Sequence, residues 1–147
     1  MMLNQRFKSI FAIFLMLFLF SSCKKSTLPY RCEEFLTLSS LKNMTGSDFK
    51  LKSGSRGEAL ECIYTGKEKY TIEVEKKKMA DVKSLYDGMP ENIRELQSIG
   101  LYSFGFSQDS EYNLFMISSS FPDLLIVVVG PSKETVMAIA NSIENGQ

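Results

Sequence analysis

The sequence predicts an α+β fold, in which an antiparallel sheet of about six strands has helices packed on one face. Two groups of three strand-like stretches follow one another along the chain. The breaks inside the first group, at 54–57 and 65–68, have hairpin length, which implies antiparallel neighbours. Segments with the apolar period of helices precede, separate and follow the two groups. The expected order is α-βββ-α-βββ-α, in a single globular domain at 32–147.

The first half of this pattern begins with a helix. From Cys32 to Met44 apolar residues recur at steps of three and four, and Gly46 is placed to end the helix. The last of the strands that follow alternates apolar and polar residues, as a strand with one buried face does. The three strands are expected at 49–53, 59–65 and 70–76.

The second half starts with helical residues at 79–98, which Gly88 and Pro90 should divide into two short helices. The run from Leu124 to Val129 does not alternate, which indicates a central strand covered on both faces. A last helix is expected from Ser132, its N-cap, to about residue 144. The three strands of this half are expected at 101–107, 112–119 and 124–129.

Residues 1–22 have the pattern of a signal peptide. The first eight residues carry Arg6 and Lys8 without an acidic residue, and the run from Ile10 to Phe20 is purely apolar. This length suits the apolar region of a signal peptide and falls short of the roughly 20 residues that span a bilayer. A buried helix or a membrane anchor is the alternative interpretation of the run.

The residues Phe20-Ser21-Ser22-Cys23 resemble the lipobox of bacterial lipoprotein precursors, in which apolar or small residues precede a cysteine. The resemblance implies a diacylglyceryl group on the Cys23 thiol, cleavage just before this residue, and acylation of the new amino group, for example with palmitate. Phe20 departs from the pattern, because many lipoboxes have Leu there. Residues 23–31 would then be the lipidated cysteine and a short tether.

The same resemblance implies a place in the cell envelope. In the sorting rule of enterobacterial lipoproteins an Asp after the cysteine retains the protein in the inner membrane, so Lys24 favours the outer membrane. Whether the domain faces the periplasm or the cell surface stays open. Acyl chains at Cys23 would hold the protein firmly on the membrane, because each buried methylene contributes about 0.8 kcal/mol.

The two other cysteines, Cys32 and Cys62, are expected to form a disulfide, since an exported chain with one pair left over favours it. Closing this loop would contribute about 3 to 4 kcal/mol in the loop-entropy model. Two separate buried thiols are the alternative. In outline the mature chain also resembles small secreted lipoprotein domains of unknown function, a resemblance that implies no functional residue.

The sequence predicts no catalytic, cofactor-binding or metal-binding residue. Histidine, the commonest metal ligand and the usual acid or base at neutral pH, does not occur. The S-x-x-K match at Ser39–Lys42 lacks the companion motifs of penicillin-binding proteins, and Ser118–Ser120 lacks a nucleophile elbow. Glu73 and Glu75 share a face of their strand, but the lysines that follow favour a solvated strand end.

Charge is balanced overall and uneven along the chain. The formal net charge is zero, which predicts no nucleic-acid partner. Residues 24–78 contain 12 basic and 8 acidic residues, and residues 79–147 contain 3 basic and 9 acidic ones. The basic half could face anionic lipid while the acidic half faces a partner, unless folding interleaves the two halves.

Three functions fit these observations. The favoured one is a non-catalytic protein-binding or structural module, attached to the membrane through Cys23 and with a possible protein partner in the envelope. A carrier of a small molecule or lipid would require an apolar cavity between sheet and helices. An enzyme based on carboxylates would require two acidic side chains that converge in a pocket.

Overall fold

A computed structural model of the chain describes residues 28–146, which form a seven-stranded antiparallel sheet and three α-helices. The predicted α+β class is confirmed. The helices are α1 (Leu38–Thr45), α2 (Met79–Asp87) and α3 (Lys133–Asn145), and a 3-10 turn at Cys32–Glu34 precedes α1. The strands are β1 (Lys50–Arg56), β2 (Ala59–Thr65), β3 (Lys69–Lys76), β4 (Glu95–Gln97), β5 (Tyr102–Gln108), β6 (Glu111–Ser118) and β7 (Phe121–Gly130).

The sheet consists of two meanders that meet at its centre. The strands lie in the order β1-β2-β3-β7-β6-β5-β4, so that the chain halves lie side by side and are joined by β3 and β7. Ile72 of β3 pairs with Val128 of β7 in this central register. The central place of β7 agrees with its lack of alternation.

The larger core lies on one face of the sheet, called here the inner face. The segment before α1 contributes Leu36 to this core, α1 contributes Leu41, and α3 contributes Ile139. These side chains pack against β2, β3, β6 and β7. These side chains are completely buried. The cap of α3 agrees with prediction, because the Ser132 side chain accepts a hydrogen bond from the backbone N–H of Thr135.

The opposite, outer face carries α2, so the prediction that all helices pack on one face is wrong. Val82 of α2 packs there with Phe104, Phe115, Ile117 and Leu125, which lie on β5, β6 and β7. The run at 114–117 is apolar without alternation, so β6 presents apolar side chains to both faces. Its outward side chains require a cover, and α2 supplies it.

The expected second helix after Pro90 does not form, and the count of six strands is wrong for this reason. Glu95–Gln97 forms the short edge strand β4 instead and pairs with β5. Ile93 is only half-buried and Leu96 is 58% exposed. Ile93 and Leu96 thus contribute little to the core, and the segment instead pairs with β5 and satisfies its free backbone groups.

The predicted first helix is broken into two pieces. The 3-10 turn ends before Phe35, and α1 starts only after Thr37, whose hydroxyl accepts a hydrogen bond from the backbone N–H of Ser40 at 3.1 Å. Phe35 and Leu36 lie between the pieces and are completely buried. Gly46 ends α1 in the left-handed conformation, as predicted.

The described chain is packed against the domain from its first residue. Leu28 is 8% exposed and belongs to the inner core, although it falls in the segment expected to be a tether. Within residues 28–146 no helix has the length and apolar character needed to cross a membrane. The predicted signal peptide and the lipobox at Cys23 lie outside the described residues.

Candidate functional site

The two predicted disulfide cysteines lie together at the start of the domain. The sulfur atoms of Cys32 and Cys62 are 2.07 Å apart, which is the distance of a disulfide bond, and their Cα atoms are 5.7 Å apart. Cys62 is on β2 and Cys32 is in the 3-10 turn, so the pair connects the beginning of the domain to the sheet. Nearby, the buried hydroxyl of Tyr64 donates a hydrogen bond to the carbonyl of Leu36 at 2.6 Å.

The outer face of β1, β2 and β3 supplies no residue to the apolar cluster under α2. The outward-facing residues of β2 and β3 in this region are half-buried, and we call them the open face. They are Glu61, Ile63, Thr71, Glu73 and Glu75. Their orientation follows from the register, because Glu73 pairs with Val127 of β7, which packs on the outer cluster.

Glu73 is the most perturbed acidic group of the open face. Its side chain is only 15% exposed. Burial raises the pKa of Glu73 to about 7; the Arg56 guanidinium opposes this shift, while the Glu75 and Glu61 carboxylates add to it. Arg56 Nη1 lies 3.9 Å from Glu73 Oε2. The interpretation of this strand end as solvated is therefore wrong for Glu73.

The surroundings of Glu73 define what the open face can do chemically. Glu61 lies directly opposite Glu73 on β2, and Glu75 is the next outward residue of β3. Burial also raises the pKa of Glu75, and Lys77 opposes that shift. Among residues 28–146 no group of Cys, Asp and Glu side chains is arranged to hold a metal ion. The open face therefore combines partly desolvated carboxyl groups with Ile63, and a cation placed there would favour the ionised form of Glu73.

A first cleft, of about 370 Å³, lies between the end of α1 and the start of α3. Five of its seven lining residues are polar or charged: Thr45, Glu68, Ser132, Glu134 and Thr135. Glu68 accepts a hydrogen bond from the Tyr70 hydroxyl at 2.6 Å. Glu134 lies in the first turn of α3, where a carboxylate stabilises the helix dipole. Both carboxylates thus have structural roles.

A second cleft, called here the proximal cleft, has a volume of about 300 Å³ and lies where the described chain begins. Tyr30 forms one side, and its ring centroid is 5.6 Å from that of Phe121 at the start of β7. Lys76, at the end of β3, contributes a cation. The complete lining consists of Pro29, Tyr30, Lys76, Ser120, Phe121, Pro122, Asp123 and Leu124.

The side chains of the S-x-x-K match and of the serine run, which the sequence did not predict to be catalytic, form structural contacts. Lys42 of the S-x-x-K match forms an ion pair with Asp48 at 2.8 Å. Ser118 donates a hydrogen bond to Glu144 at 2.6 Å, and the backbone N–H and hydroxyl of Ser119 also donate to Glu144. The serine run therefore attaches the end of α3 to the β6–β7 turn. No local pattern indicated this contact, because Glu144 is distant in sequence.

Comparison of the chain with protein families, with curated proteins and with solved structures finds no match.

Proposed function

We propose that the chain is the precursor of a bacterial envelope lipoprotein, attached by lipid at Cys23 to a membrane for which the outer membrane is favoured. The observation that carries this proposal is the order of segments at the N-terminus: two basic residues, an apolar run, and Ser21-Ser22-Cys23. A thiol at this position is the group to which the lipid would be attached. The domain that follows is a non-catalytic protein-binding or structural module.

The test of lipid attachment is the variant Cys23→Ala, expressed in bacterial cells that receive a radioactive fatty acid. The unsubstituted chain is expected to carry the label and to be shortened by its signal peptide. The variant lacks the acceptor thiol, so it is expected to remain unlabelled and uncut. Cys62→Ala is the matched control and should still be labelled. Normal labelling of Cys23→Ala would refute the lipoprotein proposal.

The open face supports a role in binding a protein. It combines half-buried carboxyl groups with Ile63, and the Arg56 guanidinium lies at its border, 42% exposed. A protein that brings an arginine or lysine to Glu73 would stabilise the ionised carboxylate, which the domain itself stabilises incompletely. The partner of this proposal is therefore an envelope protein with a basic surface.

The partner is tested by crosslinking in intact cells, with a variant that alters the open face. Thr71→Arg places a cation and a larger side chain among the open-face residues. We expect it to reduce the crosslinked product about tenfold, which corresponds to the loss of about 1.4 kcal/mol. Ser39→Arg, on the exposed side of α1, is the control and should leave the product unchanged. Equal crosslinking by both variants would contradict a role of the open face.

The alternatives find less support in the described residues. A carrier would enclose its ligand in an apolar cavity between sheet and helices. The first cleft has mainly polar walls, and the proximal cleft is lined by strand ends and by the segment before the 3-10 turn, without a helix residue. An enzyme based on carboxylates would need two acidic side chains that converge in a pocket. Glu61, Glu73 and Glu75 of the open face line neither of the two clefts described above, and the first cleft contains Glu68 and Glu134. The hydrogen bond from Tyr70 and the position in the first turn of α3 account for these two residues without a reaction.

A further inference from the structure

The proximal cleft combines aromatic and aliphatic walls with a cation. Tyr30, Phe35 and Phe121 form a cluster in which the Phe35 and Phe121 ring centroids are 5.0 Å apart. Phe121 and Tyr30 are only half-buried, so their rings also border the cleft. Leu124 adds an aliphatic wall. Tyrosine with an apolar body and a polar tip suits the boundary between water and lipid.

Three consecutive lysines extend from the cleft along the same end of the sheet. Lys76 lines the cleft, Lys76 and Lys78 are exposed, and the backbone N–H of Lys77 bonds to the carbonyl of Asp123 at 3.2 Å. Within residues 28–146 none of the three forms an ion pair. Asp123 is the only carboxylate among the residues that line the cleft, and Glu75 is the acidic residue next to the lysines on β3. Two further carboxylates lie at this end: Glu58, in the β1–β2 turn, and Glu144, which accepts hydrogen bonds from Ser118 and Ser119. Lys76 and Lys78 are thus exposed cations at the mouth of the cleft.

The covalent chain brings this same end close to any lipid on Cys23. Leu28 is fixed in the inner core, and only five peptide units connect it to Cys23. An extended chain covers at most about 3.6 Å per residue, so the two residues are at most about 18 Å apart. A lipid at Cys23 would thus hold the proximal cleft near the headgroups.

We propose that this end of the sheet is the membrane-apposed face of the domain, and that the proximal cleft takes up an anionic phospholipid of the leaflet that holds the lipid on Cys23. The phosphate lies at Lys76 and Lys78, and the glycerol and first methylenes contact Tyr30, Phe121 and Leu124. This inference rests on the proposed lipid attachment. It fixes the orientation of the domain, with the β2–β3 and β5–β6 turns directed away from the membrane.

The chain contains no tryptophan, so a single introduced one reports its surroundings alone. Phe121→Trp places this reporter in the proximal cleft, and Ser107→Trp places a control near the opposite end of the sheet. Each lipidated protein is reconstituted into vesicles whose phospholipids carry bromine on the acyl chains, with or without phosphatidylglycerol. Bromine quenches tryptophan only at short distance. We expect at least threefold stronger quenching at position 121, increased further by phosphatidylglycerol.

The lysines are tested by removing charge. Each lysine near an anionic surface contributes about 1 kcal/mol, or about fivefold in population. The double variant Lys76→Gln with Lys78→Gln should therefore abolish the increase in tryptophan quenching that phosphatidylglycerol causes. Lys50→Gln with Lys52→Gln, on the edge strand β1, should not. A second measurement needs no reporter. An amine reagent is added to the unsubstituted protein, once in vesicles and once without them, and the modification rates of Lys50 and Lys78 are compared. The ratio of the Lys50 rate to the Lys78 rate should be about fivefold higher in vesicles than without them.

The outcomes separate the two proposals. Fatty-acid analysis of the same preparations shows whether Cys23 is acylated, independently of orientation. Equal quenching at positions 107 and 121, or equal modification of the lysines, in acylated protein would overturn the membrane-apposed face and leave the lipid anchor intact. Absence of acylation would overturn the anchor, and with it this inference.

Discussion

The half-buried carboxyl group of Glu73 makes the stability of the domain depend on pH. Its pKa of about 7 exceeds the ordinary value of 4.5, so the folded state binds this proton more strongly than the unfolded state. The stabilisation from this group is complete below pH 4.5. It is lost as the pH rises through 7, where the buried carboxylate must carry its charge.

The variant Glu73→Gln isolates this contribution, because glutamine has nearly the same shape and cannot ionise. At pH 8 we expect the variant to be more stable than the original chain by about 1 to 3 kcal/mol, and at pH 4 to be nearly equal to it. Urea unfolding at the two pH values measures the difference. Glu111→Gln, exposed at the start of β6, is the control. A gain that is the same at both pH values would contradict the shifted pKa.

At the scale of elements, two glycines each make room for a tyrosine ring of the adjacent strand. A Cβ atom at Gly130 of β7 would overlap the ring of Tyr70 on β3, and one at Gly105 of β5 would overlap Tyr112 on β6. Both tyrosines are buried on the inner face. The close approach of β3 and β7 around Tyr70 thus requires a residue without a side chain.

Gly130→Ala tests this packing. The methyl group would force the Tyr70 ring or the strand to move, so we expect a loss of about 1 to 3 kcal/mol in the free energy of unfolding. Gly54→Ala is a matched control on the edge strand β1, where a Cβ meets no atom within 4 Å. We expect it to change stability by less than about 0.5 kcal/mol. Equal effects of the two variants would show that the ring contact is unimportant.

At the scale of the molecule, the pair Cys32–Cys62 connects the start of the domain to the sheet. Removing the bond by Cys32→Ser with Cys62→Ser is expected to lower the free energy of unfolding by about 3 to 4 kcal/mol, because the unfolded chain gains freedom. Without reductant, tryptic peptides that contain the two cysteines should remain joined, two hydrogens lighter than the free thiols. Complete alkylation of both thiols in unreduced protein would refute the disulfide.

The whole sheet shows which parts of a fold can be predicted from local patterns. The bounds of β2 follow from its composition and from the hairpin-length breaks on either side of it, and the central position of β7 follows from its lack of alternation. The position of α2 does not follow from local patterns. Its apolar period shows that one side of the helix is buried, but does not show which face of the sheet the helix covers. The non-alternating run at 114–117 was the available signal. The strand β4 has no apolar alternation and is stabilised by pairing with β5.

The candidate sites were less predictable than the fold. Glu73 and Glu75 share a face, as expected from the spacing of two. The burial of Glu73 depends on neighbours brought from β1, β2 and β7, which sequence spacing does not reveal. The proximal cleft likewise combines three distant segments, at 29–30, 76 and 120–124.

The central pairing of β3 with β7 also determines the order in which the chain can complete its fold. Each meander can form its hairpins from nearby residues, but the contact of Ile72 with Val128 must wait until the last strand is available. A chain released before Phe121 would leave β3 and β6 as two long apolar edges, the arrangement most prone to pair with other chains. Until residues 121–147 are available to pair, these edges would be exposed to aggregation.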